Sequence, residues 1–375
     1  MSDEETLPEP DRIEGAPHPR DTALLVGQGA AEREFLDAYA SGHLHHAWLI
    51  TGPLGIGKAT LAWRLARFLL AQPAGDGGGG LFGDAPPMPE TLDISPDHPV
   101  ARRLQAGSEG RLFALRRAWD EEKKRLKTVI TVDEVRRLRT FLQLSSADGG
   151  RRAVIVDPAD EMNTAAANAL LKMLEEPPSG VTFLIVGHQP ARLLPTIRSR
   201  CRELRLGTLG PDDLARAIAA TGAGVADDGA ALAELAGGSV GEAIRLINLD
   251  GIELYRALVA LFNTLPQFDR AQALALADRA AQRGQAERLD LLVALIGLFL
   301  ARLARAGSRG ATGPEAAPGE AALLARLAPD ANAGRRWAAL HQTLGARIRH
   351  GRAVNLDPGA LVLDAIFKIA ETARE

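Results

Sequence analysis

The sequence predicts an α/β domain built on a parallel sheet, followed by helical units. Short apolar runs at residues 46–51 (HAWLIT), 152–157 (RAVIVD) and 182–186 (TFLIV) have the length and composition of strands buried on both faces. Helical patterns stand between these runs, and alternation of strand with helix implies parallel pairing through crossovers. Beyond about Leu206 the strand signals cease, and alanine-rich amphipathic patterns run on to the C-terminus.

Residues 1–20 are polar, acidic and proline-rich, a composition that predicts a disordered tail. The strand at 46–51 ends in a glycine-rich turn, after which residues 59–70 (ATLAWRLARFLL) place Leu61, Leu65, Phe68 and Leu69 on one helical stripe. Residues 73–89 form a low-complexity Gly/Pro loop expected to be mobile. Thr131 and Glu134 then read as a capping box that starts an amphipathic helix. A basic stretch at 116–127, interrupted by Asp120, Glu121 and Glu122, reads as a solvated helix face. The helix at 163–176 is stopped by Pro177 and Pro178. The expected division is a tail at 1–20, an α/β nucleotide-binding domain at 21–207, a small helical unit at 208–249 and a helical domain at 250–375. The last carries a Gly/Ala/Pro-rich flexible break at 306–319.

The chain has 375 residues, a net charge of -3 and only 4% aromatic residues. Its charge offers no global attraction to nucleic acid, so any such contact needs a local patch or a partner. The single cysteine, Cys201, excludes an internal disulfide and any multi-cysteine zinc module, and it reads as a small buried hydrophobe. No run reaches the roughly 18 apolar residues of a membrane span. The acidic N-terminus is the opposite of a signal peptide, so the expectation is a cytoplasmic protein with no membrane contact.

The sharpest motif is Gly52-Pro-Leu-Gly55-Ile-Gly57-Lys58, a GxxxxGK loop between a strand and a helix. Its glycines let backbone N–H groups fold around phosphates, the helix N-terminus adds its positive end, and Lys58 reaches the β- and γ-phosphates. The next position, where Ser or Thr normally ligates magnesium, is Ala59. Thr60 lies one residue on, about 100° around the helix, and is a poor substitute. A strand ending in Asp157 suits a Walker B acid, with a strand-end cap as the competing reading. The following residue, normally the acid that polarises water, is Pro158. The cofactor-binding candidates are thus Gly52, Gly55, Gly57, Lys58, Ala59, Thr60 and Asp157, a degenerate ATP and magnesium site. ATP binding is expected to be weak or non-hydrolytic.

Taken with these motifs, Asn168 to Pro178 (NALLKMLEEPP), Ser199-Arg200-Cys201, Val26-Gly27-Gln28, His45-His46-Ala47 and Asn355-Leu-Asp-Pro358 make the chain resemble the bacterial DNA polymerase III clamp-loader subunits of the AAA+ family. The resemblance implies an AAA+ P-loop domain with a parallel sheet, a small helical lid and a C-terminal helical collar. It further implies gamma/tau and delta subunits as neighbours in a hetero-oligomeric ring, with the sliding clamp and primed DNA reached through the assembly. On the same grounds Arg200 is implied to be a catalytic arginine finger acting in trans on a neighbour's ATP. No metal site is expected, because the four zinc-binding cysteines of many relatives are absent. Lys58-Ala59, Asp157-Pro158, Gly187-His188 and Ser239-Val-Gly241-Glu242-Ala243 depart from the motor subunits at four catalytic positions, while the finger motif stays. That combination resembles the stationary member of the ring. An independent AAA+ ATPase is the first alternative, but it needs the acid that Pro158 replaces. A P-loop kinase of small molecules is the second, and it needs a substrate lid rich in arginine.

Overall fold

The computed structural model describes residues 8–22, 24–73, 89–143, 150–224, 228–280, 286–310 and 313–374. It divides into two compact units, Met1–Gly222 with Ser239–Gly241, and Ala223–Gly238 with Glu242–Glu375.

The first unit is built on β1 (Ala47–Thr51), β2 (Leu112–Leu115), β5 (Arg152–Val156), β6 (Val181–Val186) and β7 (Arg202–Arg205), paired in the order β2-β5-β6-β1-β7. Every pairing is parallel. The α/β parallel-sheet expectation is met. Side-chain alternation sorts each strand between two cores. Trp48 and Ile50 of β1 face Phe35 of α1 (Gly29–Ala40) and Leu61, Leu65 and Phe68 of α2 (Lys58–Ala71), joined by α3 (Pro99–Gln105). Leu49 faces the other way with Val154, Val156, Phe183 and Ile185. There it meets Val135 and Leu138 of α4 (Val132–Gln143), Leu170 of α5 (Thr164–Glu175) and Ile197 of α6 (Pro195–Arg198). The Glu134 half of the capping box forms, with the Thr131 N–H donating to Glu134 Oε2 at 2.8 Å, while the Thr131 hydroxyl also donates to that carboxylate.

Residues 8–20 correct the expectation of a disordered tail. Arg20 donates to both carboxylate oxygens of Glu9 at 3.1 Å, and Arg116 donates to Glu9 at 2.9 Å and to Asp11 at 2.7 Å. His18 lies buried edge-on to Trp63 with its Nε2 3.2 Å from Asp11. Polar composition predicts disorder only when the charges lack partners, and here Arg116 of the folded domain joins Arg20 and His18 of the segment itself in supplying them. The basic stretch is likewise not a helix face: β3 (Trp119–Asp120) pairs antiparallel with β4 (Arg125–Leu126) through a turn in which Lys124 has φ 48°. Residues 74–88 of the expected mobile loop lie outside the described residues.

The unit boundary falls near residue 222 rather than isolating 208–249. In the first unit, α7 (Pro211–Thr221) joins a segment whose Leu209 and Asp213 lie against Gly27. The second unit holds α8 (Gly229–Ala236), most of α9 (Val240–Asn248), α10 (Gly251–Asn263), α11 (Arg270–Ala280), α12 (Ala286–Arg309), α13 (Glu320–Leu327), α14 (Ala331–Ala353) and α15 (Pro358–Thr372). Ion pairs fasten α8 there: Asp228 meets Arg256 at 2.7 Å, and Glu234 meets Arg302 at 3.2 Å. Across its described residues, 306–310 and 313–319, the expected flexible break is also corrected, and residues 311 and 312 lie outside the described residues. Helix α12 runs to Arg309, Ala316 and Ala317 are buried, and fully buried Glu320 accepts from Arg302 Nε at 2.6 Å, Tyr255 Oη at 2.5 Å and the Ala316 N–H at 2.7 Å. A carboxylate satisfied on three sides fixes a stretch whose composition alone reads as a linker. Among the described residues no helix is long and apolar enough to cross a membrane.

Candidate nucleotide site

The glycine loop joins β1 to α2 at the C-terminal end of the sheet, where ligands of parallel α/β folds bind. Gly52 and Gly55 have φ of 138° and 75°, and a Cβ on Gly52 would stand 2.6 Å from the Leu206 carbonyl oxygen. Only glycine fits. Gly57 is the left-handed N-cap of α2, whose first residues are Lys58, Ala59 and Thr60. The structure therefore brings Gly52, Gly55, Gly57, Lys58, Ala59 and Thr60 into one loop–helix junction, as the motif predicts.

The chemistry inside that junction is turned inward. Lys58 is buried, and its Nζ donates to the Gly52 carbonyl at 2.8 Å and to the Pro53 carbonyl. Burial lowers its pKa to about 8, against the pull of Asp157 and Asp160. Asp157, one residue past β5, donates its N–H to the Leu115 carbonyl at 3.0 Å. Burial raises its carboxyl to about 7, helped by the negative charge of Asp11 and opposed by Lys58. Its Oδ2 has no hydrogen-bond partner among the described residues. His188 follows β6; burial, then the charge of Lys58, lowers its pKa to about 4, so the ring is neutral near pH 7. Ser239 Oγ donates to the Leu54 carbonyl at 2.9 Å and the Gly241 N–H to the Gly55 carbonyl at 2.8 Å.

Glycines and a lysine thus fit the phosphates of a nucleotide in part. A magnesium shell fits less well. Ala59 offers no oxygen, and Asp157 is a protonatable carboxyl beside Asp11. No acid follows Asp157, because Pro158 occupies that place. Sequence reasoning missed Asp11 and Arg116, since an acidic, proline-rich N-terminus carries no signal that it will be held against the sheet. Burial pushes the Asp11 carboxyl up, but the His18 hydrogen bond and the Arg116 charge together bring its pKa down to about 2. Among the described residues no group of three or more His, Cys, Asp or Glu side chains could hold a metal ion.

Arg200 lies apart from this junction, past α6. Its Nη1 donates to the Thr196 carbonyl at 2.9 Å and its Nη2 lies 2.9 Å from Glu175 Oε1, leaving the side chain 36% exposed. Neighbouring Cys201 is half-buried, burial pushes its thiol up to about 12, and its Sγ donates to the Ile197 carbonyl. It is no nucleophile at neutral pH.

The family described as DNA polymerase III, delta subunit, matches residues 90–210, a stretch that includes Arg116, Asp157 and Arg200. The DNA polymerase III subunit delta' of Pseudomonas aeruginosa is 41% identical over 157 residues, 42% of this chain and 41% of that protein. Over this stretch the chain is similar to DNA polymerase III delta-prime subunits. The delta-prime protein of Escherichia coli K12 is 33% identical over 165 residues, covering 44% of this chain and 43% of that protein. The gamma/tau subunit of Mycobacterium tuberculosis H37Rv is 32% identical over 199 residues, 52% of this chain and 30% of its own length. The chain therefore matches less than half the length of these delta-prime relatives. A crystal structure of a gamma subunit-related protein from Thermotoga maritima superposes with a TM-score of 0.44 at 17% identity, over 91% of this chain and 100% of that one.

Proposed function

We propose that the chain acts as the delta-prime subunit of a DNA polymerase III clamp loader, a stator that helps ATP-dependent loading of the sliding clamp onto primed DNA. The observation that carries this reading is the pairing of a partly exposed Arg200, outside the glycine loop, with a P-loop whose lysine is spent on its own loop carbonyls. Such a chain supplies a guanidinium to a neighbour without firing its own site. A planar, permanently charged fork suits the charge that builds on a transferring phosphoryl group. Similarity to delta-prime relatives supports the same reading.

The partners proposed are gamma/tau and delta subunits in a ring, with the collar in the second unit and a cytoplasmic location. The chain itself has little or no ATPase activity and belongs to a DNA-directed DNA polymerase only through its assembly. Nucleotide, where it binds, binds weakly, and zinc has no place. Co-expression with gamma/tau and delta subunits of the same organism tests this: a stable complex that loads clamps is expected. ATP turnover by the purified chain alone at the rate of an AAA+ motor would overturn the stator reading in favour of a gamma-type motor.

A further inference from the structure

Two acids, Glu175 and Glu176, end α5, where the helix dipole presents its negative pole and a carboxylate is disfavoured. Such a placement needs a compensating cation, and the fold provides one. Residues 199–201 return past α6 so that Arg200 Nη2 stands 2.9 Å from Glu175 Oε1. The opposite corner of the same guanidinium, Nη1, donates to the Thr196 carbonyl at 2.9 Å. The pair bridges 25 residues of sequence and lies outside the nucleotide junction. Both side chains are partly open to solvent, Arg200 at 36% and Glu175 at 43%.

We infer that Glu175 is a positioning residue for Arg200. It and the Thr196 carbonyl grip the guanidinium from two sides and fix its place before a neighbour's phosphates arrive. A long, unrestrained arginine side chain would lose rotamer freedom at the moment of reaction, and a side chain already held loses less. The grip stays adjustable because a solvent-exposed pair is weak, so the guanidinium can lean onto a phosphate without a large barrier. Glu175 touches no substrate. The inference rests on Arg200 acting in trans.

The test uses the reconstituted loader and reads the Arg200-dependent part of its DNA-stimulated ATP hydrolysis, the wild-type rate less the rate with Arg200→Ala. Glu175→Ala should lower that part about 3- to 10-fold, in kcat and not in KM for ATP, the size expected of a misplaced but present group. Glu175→Gln should keep more of it, because an amide oxygen still accepts from the guanidinium. In the Arg200→Ala background Glu175→Ala should add nothing. An unchanged Arg200-dependent rate in Glu175→Ala would overturn the inference and leave the finger reading intact. Equal losses in both backgrounds would make Glu175 a structural residue and overturn it too. No effect of Arg200→Ala itself would instead defeat the finger reading on which the inference stands.

Discussion

Asp157 shows how a single residue records the state of the nucleotide junction. Its folded pKa of about 7 stands above the ordinary carboxyl value of 3.8, so between these limits the folded chain holds a proton that the unfolded chain has lost. A raised pKa contributes stability that is full below the unfolded value and is lost as pH rises through the folded one. Through this group the wild-type protein should therefore lose stability from about pH 4 until pH passes about 7, and the upper part of that loss falls in a pH 5.5–8 titration window. Asp157→Asn, which cannot ionise, should gain about 2 kcal/mol relative to wild type over that window in urea titrations. An unchanged difference between the two proteins across the window would show that Asp157 is ionised throughout. Spacing fixes a glycine loop and made Lys58 and Ala59 legible in the sequence, while Asp157 was legible as the acid ending an apolar strand. The inward turn of Lys58 was not legible, since it depends on which carbonyls the folded loop presents.

At the scale of elements, the strap of residues 8–20 depends on Arg116, which answers both Glu9 and nearly inaccessible Asp11. Arg116→Ala should cost about 2 kcal/mol at pH 7, because it leaves the buried Asp11 carboxylate with His18 alone as its partner, and that remaining contact softens the loss. Urea unfolding would check this, and protease cleavage within 8–20 should appear earlier than in wild type. A variant as stable and as resistant as wild type would mean that the strap is held otherwise. In the second unit, Tyr255→Phe should cost about 1 kcal/mol by thermal unfolding, since Glu320 keeps its bonds from Arg302 and Ala316. A loss near zero would remove the Tyr255 bond from the account.

The elements themselves were unevenly legible. Strands β1, β5 and β6 announce themselves because central parallel strands are apolar on both faces, whereas β2 and β7 are edges. In β7 only Leu204 is buried among Arg202, Glu203 and Arg205, so its sequence reads as a surface segment. The linker-like stretch after α12 misled for a different reason. One buried carboxylate 18 residues from its arginine orders it, and local composition does not encode that contact.

At the scale of the whole molecule, the proposed stator pairs a nucleotide junction that does not fire with an arginine proposed to act on a neighbour. Metal analysis of purified protein should find no stoichiometric zinc, because one cysteine cannot build a four-ligand site. Stoichiometric zinc would send the search to residues outside those described. The stator account is tested most directly by DNA-stimulated ATP hydrolysis in the reconstituted loader, assembled in parallel with the wild-type chain, Lys58→Ala or Arg200→Ala. The predicted result is near-normal turnover with Lys58→Ala and a partial fall with Arg200→Ala, since only one of several ATP sites abuts this subunit. The opposite pattern, turnover crippled by Lys58→Ala and untouched by Arg200→Ala in fully assembled complexes, would contradict it.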